Sequence, residues 1–179
     1  MQPRSVEMGK YYGIPIHVRS TFTQDLGTFI REVCTMEEKE FIIKGVAHDT
    51  NVAKIGILGV PNRPGIAFKI FSTLAKANID VDMIVQSIRN TDKDIIDMIF
   101  TIAQPDLPQT KKIVEELGKE MQVLGILIDD KVAKVSIVGA GMLGSPGIAA
   151  NMFGALSDAE VNIEVISTSE ISISCIIQA

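Results

Sequence analysis

At 179 residues and 46% hydrophobic content, the chain is large enough for one ordinary domain or two small ones and too apolar to be a disordered polymer. A formal net charge of −5, with Lys and Arg scattered rather than clustered, excludes a nucleic-acid binder. Met1-Gln2-Pro3-Arg4-Ser5 has no apolar run behind its charge, and no stretch approaches about 18 uninterrupted apolar residues, so neither a signal peptide nor a membrane span is expected. The expectation is a reduced, cytoplasmic protein. Cys34 and Cys175 read as inert thiols, and His17 and His48 as ordinary surface or edge residues. With no Cys or His partners at ligand spacing, no metal site is expected.

In chain order, Val6, Met8 and Tyr12 suggest a short helix, and residues 14–18 a strand interrupted by Pro15. These first forty residues are too few to bury a core. Residues 41–48 read as a strand, followed by a β-branched strand at 55–58. After a Gly/Pro loop, Pro64 is expected to open a helix, with Ile66, Ile70, Phe71, Leu74 and Ala77 on one face. Strands at 81–88 and 95–102 flank the polar turn 89–94, short enough for an antiparallel hairpin. Pro108 opens a second helix bearing Ile113, Val114 and Leu117, and 125–128 supplies another strand. That order, β-α-β-β-α-β, is the ferredoxin-like arrangement.

The pattern then begins again. Lys134-Val-Ser-Ile-Val-Gly139 matches Lys54-Ile-Gly-Ile-Leu-Gly59, and Pro146-Gly-Ile-Ala149 matches Pro64-Gly-Ile-Ala67. Phe153, Leu156 and Ala159 answer Phe71, Leu74 and Ala77, and Val161-Asn-Ile-Glu-Val-Ile166 answers Ile79-Asp-Val-Asp-Met-Ile84. The gap is confined to one loop, as expected for duplication of a folding unit. In the second copy Pro146 should open a helix with Ile148, Met152, Phe153, Leu156 and Ala159 on its face. Strands at 163–167 and 171–177 then flank the turn Thr168-Ser169-Glu170.

Gly139-Ala-Gly141-Met-Leu-Gly144 fits the dinucleotide-binding fingerprint, with Glu164 in the place of the ribose carboxylate. Three features oppose it. Its repeat partner Gly59-Val-Pro-Asn-Arg-Pro-Gly65 lacks the pattern, Pro146 puts the last glycine in the loop, and the strand after Glu164 returns as a hairpin.

Gln2-Pro-Arg-Ser-Val-Glu7, Val18-Arg-Ser-Thr-Phe22, Gly59-Val-Pro-Asn-Arg-Pro-Gly65, Asp82-Met-Ile-Val-Gln86, Gly139-Ala-Gly-Met142 and Asn162-Ile-Glu-Val-Ile-Ser-Thr-Ser-Glu-Ile171 resemble the C-terminal regulatory region of aspartate kinases. The resemblance implies an α+β chain with two ferredoxin-like ACT domains in tandem, the first inserted in the second. Residues 1–40 would be the end of the kinase catalytic domain and a linker, and 41–49 a strand contributed to the second ACT domain. The first domain would span 50–131, and the second, lacking its last helix, 132–179. Family members phosphorylate the β-carboxylate of aspartate with ATP, and their ACT pairs sense lysine, threonine or both. ATP and Mg are expected on a catalytic domain outside this chain, which itself should carry no kinase activity or cofactor. A homodimer through the ACT domains is the expected assembly.

The resemblance also implies effector residues. In the first copy these are Asn62, Arg63, Pro64, Gly65, Ile66 and Ala67 at the corner, with Asp80, Asp82 and Gln86 on the strand that follows. In the second they are Ile148, Ala149, Asn162, Ile163, Ser169 and Glu170. Physically, the loop-to-helix corner presents unpaired amides to an α-carboxylate, Asp80 and Asp82 are candidates for the ammonium, and Gln86 suits a hydroxyl or amine. Asp80 and Asp82 equally fit a solvated strand face, and Ser169 and Glu170 a plain hairpin turn. Asn62 stands where many relatives have Asp, and Gly144-Ser145 where Ser-His is common. The competing readings are a ligand-free dimerisation module and a nucleotide-binding domain using the Gly139 to Gly144 loop.

Overall fold

The computed structural model describes residues 3–31, 43–88, 94–139 and 145–179, divided between two compact units, Met1–Phe41 and Ile42–Ala179. Cys34, the turn 89–93 and the glycine loop 140–144 lie outside the described residues, as do the first two positions of the strand expected at 41–48.

The first unit holds α1 (Pro3–Tyr11) and a two-stranded antiparallel ribbon of β1 (Ile16–Val18) and β2 (Thr28–Ile30). His17 stacks on Phe29 with ring centroids 3.9 Å apart, and its Nε2 donates to the Leu26 carbonyl oxygen at 2.6 Å. Tyr11, Phe22 and Leu26 remain exposed, in keeping with a segment too short for its own core.

The second unit is one six-stranded antiparallel sheet with helices on it. Its elements are β3 (Gly45–Pro61), α2 (Ile66–Lys76), β4 (Val81–Ile88), β5 (Ile95–Ala103), a 3₁₀ turn leading into α3 (Leu107–Met121), β6 (Gly125–Val138), α4 (Ile148–Asp158), β7 (Ile163–Thr168) and β8 (Ser172–Gln178). The strand order is β4-β5-β3-β6-β8-β7. Two strands expected separately, 41–48 and 55–58, are one continuous β3, and 125–128 and 135–138 are one continuous β6.

These two long strands are shared between the repeats. The second half of β3 pairs with β5 and with the first half of β6, so that β4-β5-β3-β6 with α2 and α3 forms one ferredoxin-like unit. The first half of β3 (Gly45 to Asp49) pairs with Lys134 to Val138, so that β7-β8-β6-β3 with α4 forms the other. Val52 faces Val132 at the centre of the ladder, and they are repeat counterparts. The duplication therefore reaches further upstream than Lys54: Gly45, Asp49, Val52 and Ala53 recur as Gly125, Asp129, Val132 and Ala133.

The first repeat packs Ala53, Ile55 and Ile57 of β3 and Met98, Phe100 and Ile102 of β5 beneath Ile70 and Leu74 of α2 and Val114 and Leu117 of α3. The second packs Ile137, Ile173 and Cys175 under Ile148 and Met152 of α4, with Phe153 and Leu156 alongside. Ala159, expected on the same helix face, caps the end of α4 and is exposed, whereas its counterpart Ala77, in the same position after α2, packs against the first core. Among the described residues no second helix covers the first half of β3. There Val46 is 72% exposed, whereas its counterpart Ile126 packs against the first core. A third cluster on the opposite sheet face joins Val52, Met83, Val132, Val165 and Ile176 from both repeats. The sheet curls around this cluster until its two outermost strands, β4 and β7, touch.

Candidate functional site

The helix expected to begin at Pro64 begins at Ile66, and its counterpart, expected at Pro146, begins at Ile148. The cause is the intervening glycine. Gly65 (φ +92°, ψ −14°) and Gly147 (φ +96°, ψ −12°) sit in left-handed conformations as the helix caps, so each proline lies in the turn ahead of the helix. The two corners are built alike to within a few degrees. No side chain caps either helix, and a Cβ placed on either glycine would meet nothing within 4 Å. The Gly65 carbonyl accepts from the Lys69 amide and the Gly147 carbonyl from the Asn151 amide, both at 2.9 Å. The Ile66 amide donates to the Arg63 carbonyl oxygen at 3.3 Å, and the next two amides of the first turn have no carbonyl four residues back within the helix.

The approach to the first corner is tied down locally. Gly59, at φ +69°, donates its amide to Asp97 Oδ1 at 2.9 Å, and the Asn62 amide donates to the Asp94 carbonyl oxygen at 2.7 Å. In the second repeat the Gly139 amide donates to the Ile171 carbonyl oxygen at 2.9 Å, backbone replacing side chain.

Register divides the expected effector residues by sheet level. Asn62, Arg63, Pro64, Gly65, Ile66 and Ala67 lie at one end of the first repeat, where Pro61 pairs with Ile95. Gln86, exposed and opposite Met98, lies mid-ladder, three residues along β5 from that end. Asp80 is farther still. It precedes β4 at the far end of α2, whose 11 residues span about 16 Å, and Asp82 lies near that far end too. In the second repeat Ile148 and Ala149 share their level with Ser169 and Glu170, because Val138 pairs with Ser172 just past the hairpin. Asn162 and Ile163 lie at the opposite level, where Ile163 pairs with Ile177 and packs against the second core. By register, then, Gln86 is nearer the first corner than Asp80 and Asp82 are, and the Ser169–Glu170 turn shares the level of the second corner, while Asp80, Asp82, Asn162 and Ile163 lie towards the middle of the shared ladder.

Ser169 and Asp82 have partners within the chain. The Ser169 hydroxyl caps its own hairpin, within 2.8 Å of Ser172 Oγ and accepting from the Ser172 amide at 3.1 Å. Asp82 forms an ion pair with Lys134 Nζ. Its repeat counterpart Glu164 forms one with Lys54 Nζ, which also lies 3.5 Å from Asp129 Oδ2. Since Lys54 and Lys134 are themselves counterparts, the two repeats exchange ion pairs. The lysine repeat is visible in the sequence, but its crossing is not.

Two clefts lie apart from these residues. One of about 580 Å³ is in the first unit, lined by Lys10, Ile14 and Arg31 among others, and one of about 510 Å³ lies between the end of α3 and β6. No group of three or more His, Cys, Asp or Glu among the described residues is placed to hold a metal ion, and no described helix is long and apolar enough to cross a membrane. Every strand pairing is antiparallel, so the described sheet lacks the parallel crossover a dinucleotide fingerprint requires.

Family models for the ACT domain match residues 55–119 and 135–179. An aspartokinase of Corynebacterium efficiens is 40% identical over 178 residues, which cover 98% of this chain and 42% of that protein. The chain thus spans well under half the length of such curated relatives. The crystal structure of the ligand-free regulatory subunit of aspartate kinase from Thermus thermophilus is 38% identical with a TM-score of 0.72, covering 78% of this chain and 90% of that one. A crystal structure of aspartokinase alpha and beta subunits is 41% identical with a TM-score of 0.69, covering 76% of this chain and 88% of that one.

Proposed function

Because the chain belongs to the aspartate kinase family, as a regulatory region of tandem ACT domains, we propose that it binds free threonine or lysine at its glycine corners and passes that signal to a kinase catalytic domain. The observation that carries this reading is the duplicated open corner: two left-handed glycines, each at a helix N-terminus, each with room in front of it. An α-carboxylate there accepts from first-turn amides along the favourable end of the helix dipole. Gln86 serves the rest of the ligand in the first repeat and Glu170 its ammonium in the second. The central residues Asp80, Asp82, Asn162 and Ile163 complete such sites only through a second copy of the chain, which is why a homodimer belongs to the proposal.

The whole enzyme would transfer phosphate from ATP to the β-carboxylate of aspartate, with ATP and Mg held outside this chain. Residues 1–40 would then be the end of the catalytic domain and its linker. The first ACT domain, 50–131, would sit within the second, formed by 41–49 and 132–179.

Calorimetric titration with L-threonine and with L-lysine, alongside a thermal-shift screen that adds methionine, NAD and ATP, tests the reading. A ligand that binds only the folded chain raises its melting temperature. Threonine or lysine is expected to give saturable heat and such a rise. Silence from both, with a folded dimer in the cell, favours the ligand-free dimerisation module instead.

A further inference from the structure

We propose that Lys54 and Lys134 form a reciprocal clasp, each holding the second strand of the other repeat, so that the two corners answer an amino acid as one unit. This rests on the effector reading above for its ligand, but on geometry alone for the clasp.

Lys54 stands on the first repeat's opening strand and takes Glu164 from β7 of the second. Lys134 stands on the equivalent strand of the second repeat and takes Asp82 from β4 of the first. All four residues are repeat counterparts, arranged around the facing pair Val52 and Val132. The strands that supply the carboxylates are irregular at the same place, β4 between Val81 and Ile84 and β7 between Ile163 and Val165. A bulge lets two adjacent residues reach one face. Met83 and Val165 enter the shared apolar cluster there, beside Asp82 and Glu164, which reach across to the lysines. Side-chain charges seated on that apolar floor are screened less than charges in open water.

The halves differ in strength. Lys54 and Glu164 are 19% and 18% exposed, with Asp129 as a second anion beside Lys54. Asp82 is 55% exposed against Lys134. The Lys134–Asp82 half is therefore the one that yields first, and it lies on β4, the strand that carries Gln86. A ligand that moves β4 pulls directly on the opening strand of the other repeat, and linkage makes the influence mutual.

Hydrogen-exchange mass spectrometry on the full chain decides the matter, using Lys134→Met, Lys54→Met, the gentler Asp82→Asn, and the swap Lys134→Glu with Asp82→Lys. Lys134→Met and Asp82→Asn are expected to speed exchange at least fivefold in Val81–Ile88, and Lys54→Met in Ile163–Thr168, each in the opposite repeat from the lysine. The swap should restore β4. Exchange that rises only in the mutated lysine's own strand, or a swap no better than Lys134→Met, overturns the clasp. Saturating L-threonine or L-lysine should protect both repeats of the wild type and only one in Lys134→Met. If neither amino acid protects the wild type, the effector reading fails, while the variants' own exchange still passes judgement on the clasp.

Discussion

Replacing Gly59, Gly65 and Gly147 singly by alanine separates backbone strain from crowding. Gly65 and Gly147 have positive φ and empty space where a Cβ would go. An L-residue held left-handed costs about 1–2 kcal/mol, and alanine returns about 0.4–1 kcal/mol by restricting the unfolded chain. The net loss is about 1 kcal/mol at each site, equal for the two because their dihedrals agree within a few degrees. Gly59 carries the same kind of strain at φ +69°, and a Cβ there would stand 2.4 Å from Leu124 Cγ and 3.0 Å from its Cβ. Leu124 is displaced near its root, which adds an overpacking cost of about 1–3 kcal/mol, for about 2–4 kcal/mol in all. Urea titrations followed by circular dichroism measure each difference. The Gly65→Ala/Gly147→Ala double variant should lose the sum of the two within about 0.5 kcal/mol. Equal losses at Gly59 and Gly65, or a neutral Gly65→Ala, would refute the reasoning.

Thr101 is fully buried and its Oγ1 accepts the Met83 amide at 3.1 Å where β4 is irregular. Thr101→Val keeps the shape but orphans that amide, and should cost about 1–3 kcal/mol with faster exchange at Met83; an unchanged denaturation midpoint contradicts this. Burial pushes the Cys175 thiol above its ordinary value of 9.0. The folded chain thus keeps that proton longer than the unfolded one. The resulting stability is complete below the unfolded thiol's pKa and is lost as pH rises through the folded value. Wild type should lose stability relative to Cys175→Ala above about pH 9, and iodoacetamide should label Cys175 only as the chain unfolds.

The sequence exposed the duplication and the helix faces because both are local. Ile70, Leu74, Val114 and Leu117 repeat at helical spacing and are buried together. The unity of β3 and β6 was hidden by Asp49-Thr-Asn51 and Asp129-Asp-Lys131, polar triplets that read as turns. In the fold each aspartate accepts the amide two residues on, Asn51 at 2.8 Å and Lys131 at 3.0 Å, which bulges the strand without ending it. The corner was legible as Pro-Gly, yet the helix starts after the glycine, because only the backbone dihedral decides which residue caps it. The separation of Asp80 from Gly65 follows from the length of α2 and the direction of β4, and the crossed ion pairs from the curl of the sheet. No short pattern encodes either.

A strand with two owners leaves no place to cut. Severing the chain near Asn51 or Lys131 would strip each half of a border strand, and a one-residue slip in β3 would turn the buried sides of both halves to water at once. Insertions are tolerable at the hairpins and corners but not along these spines. Heat or urea should therefore dismantle the pair in a single melting step, and evolution can revise either half only by keeping faith with the other.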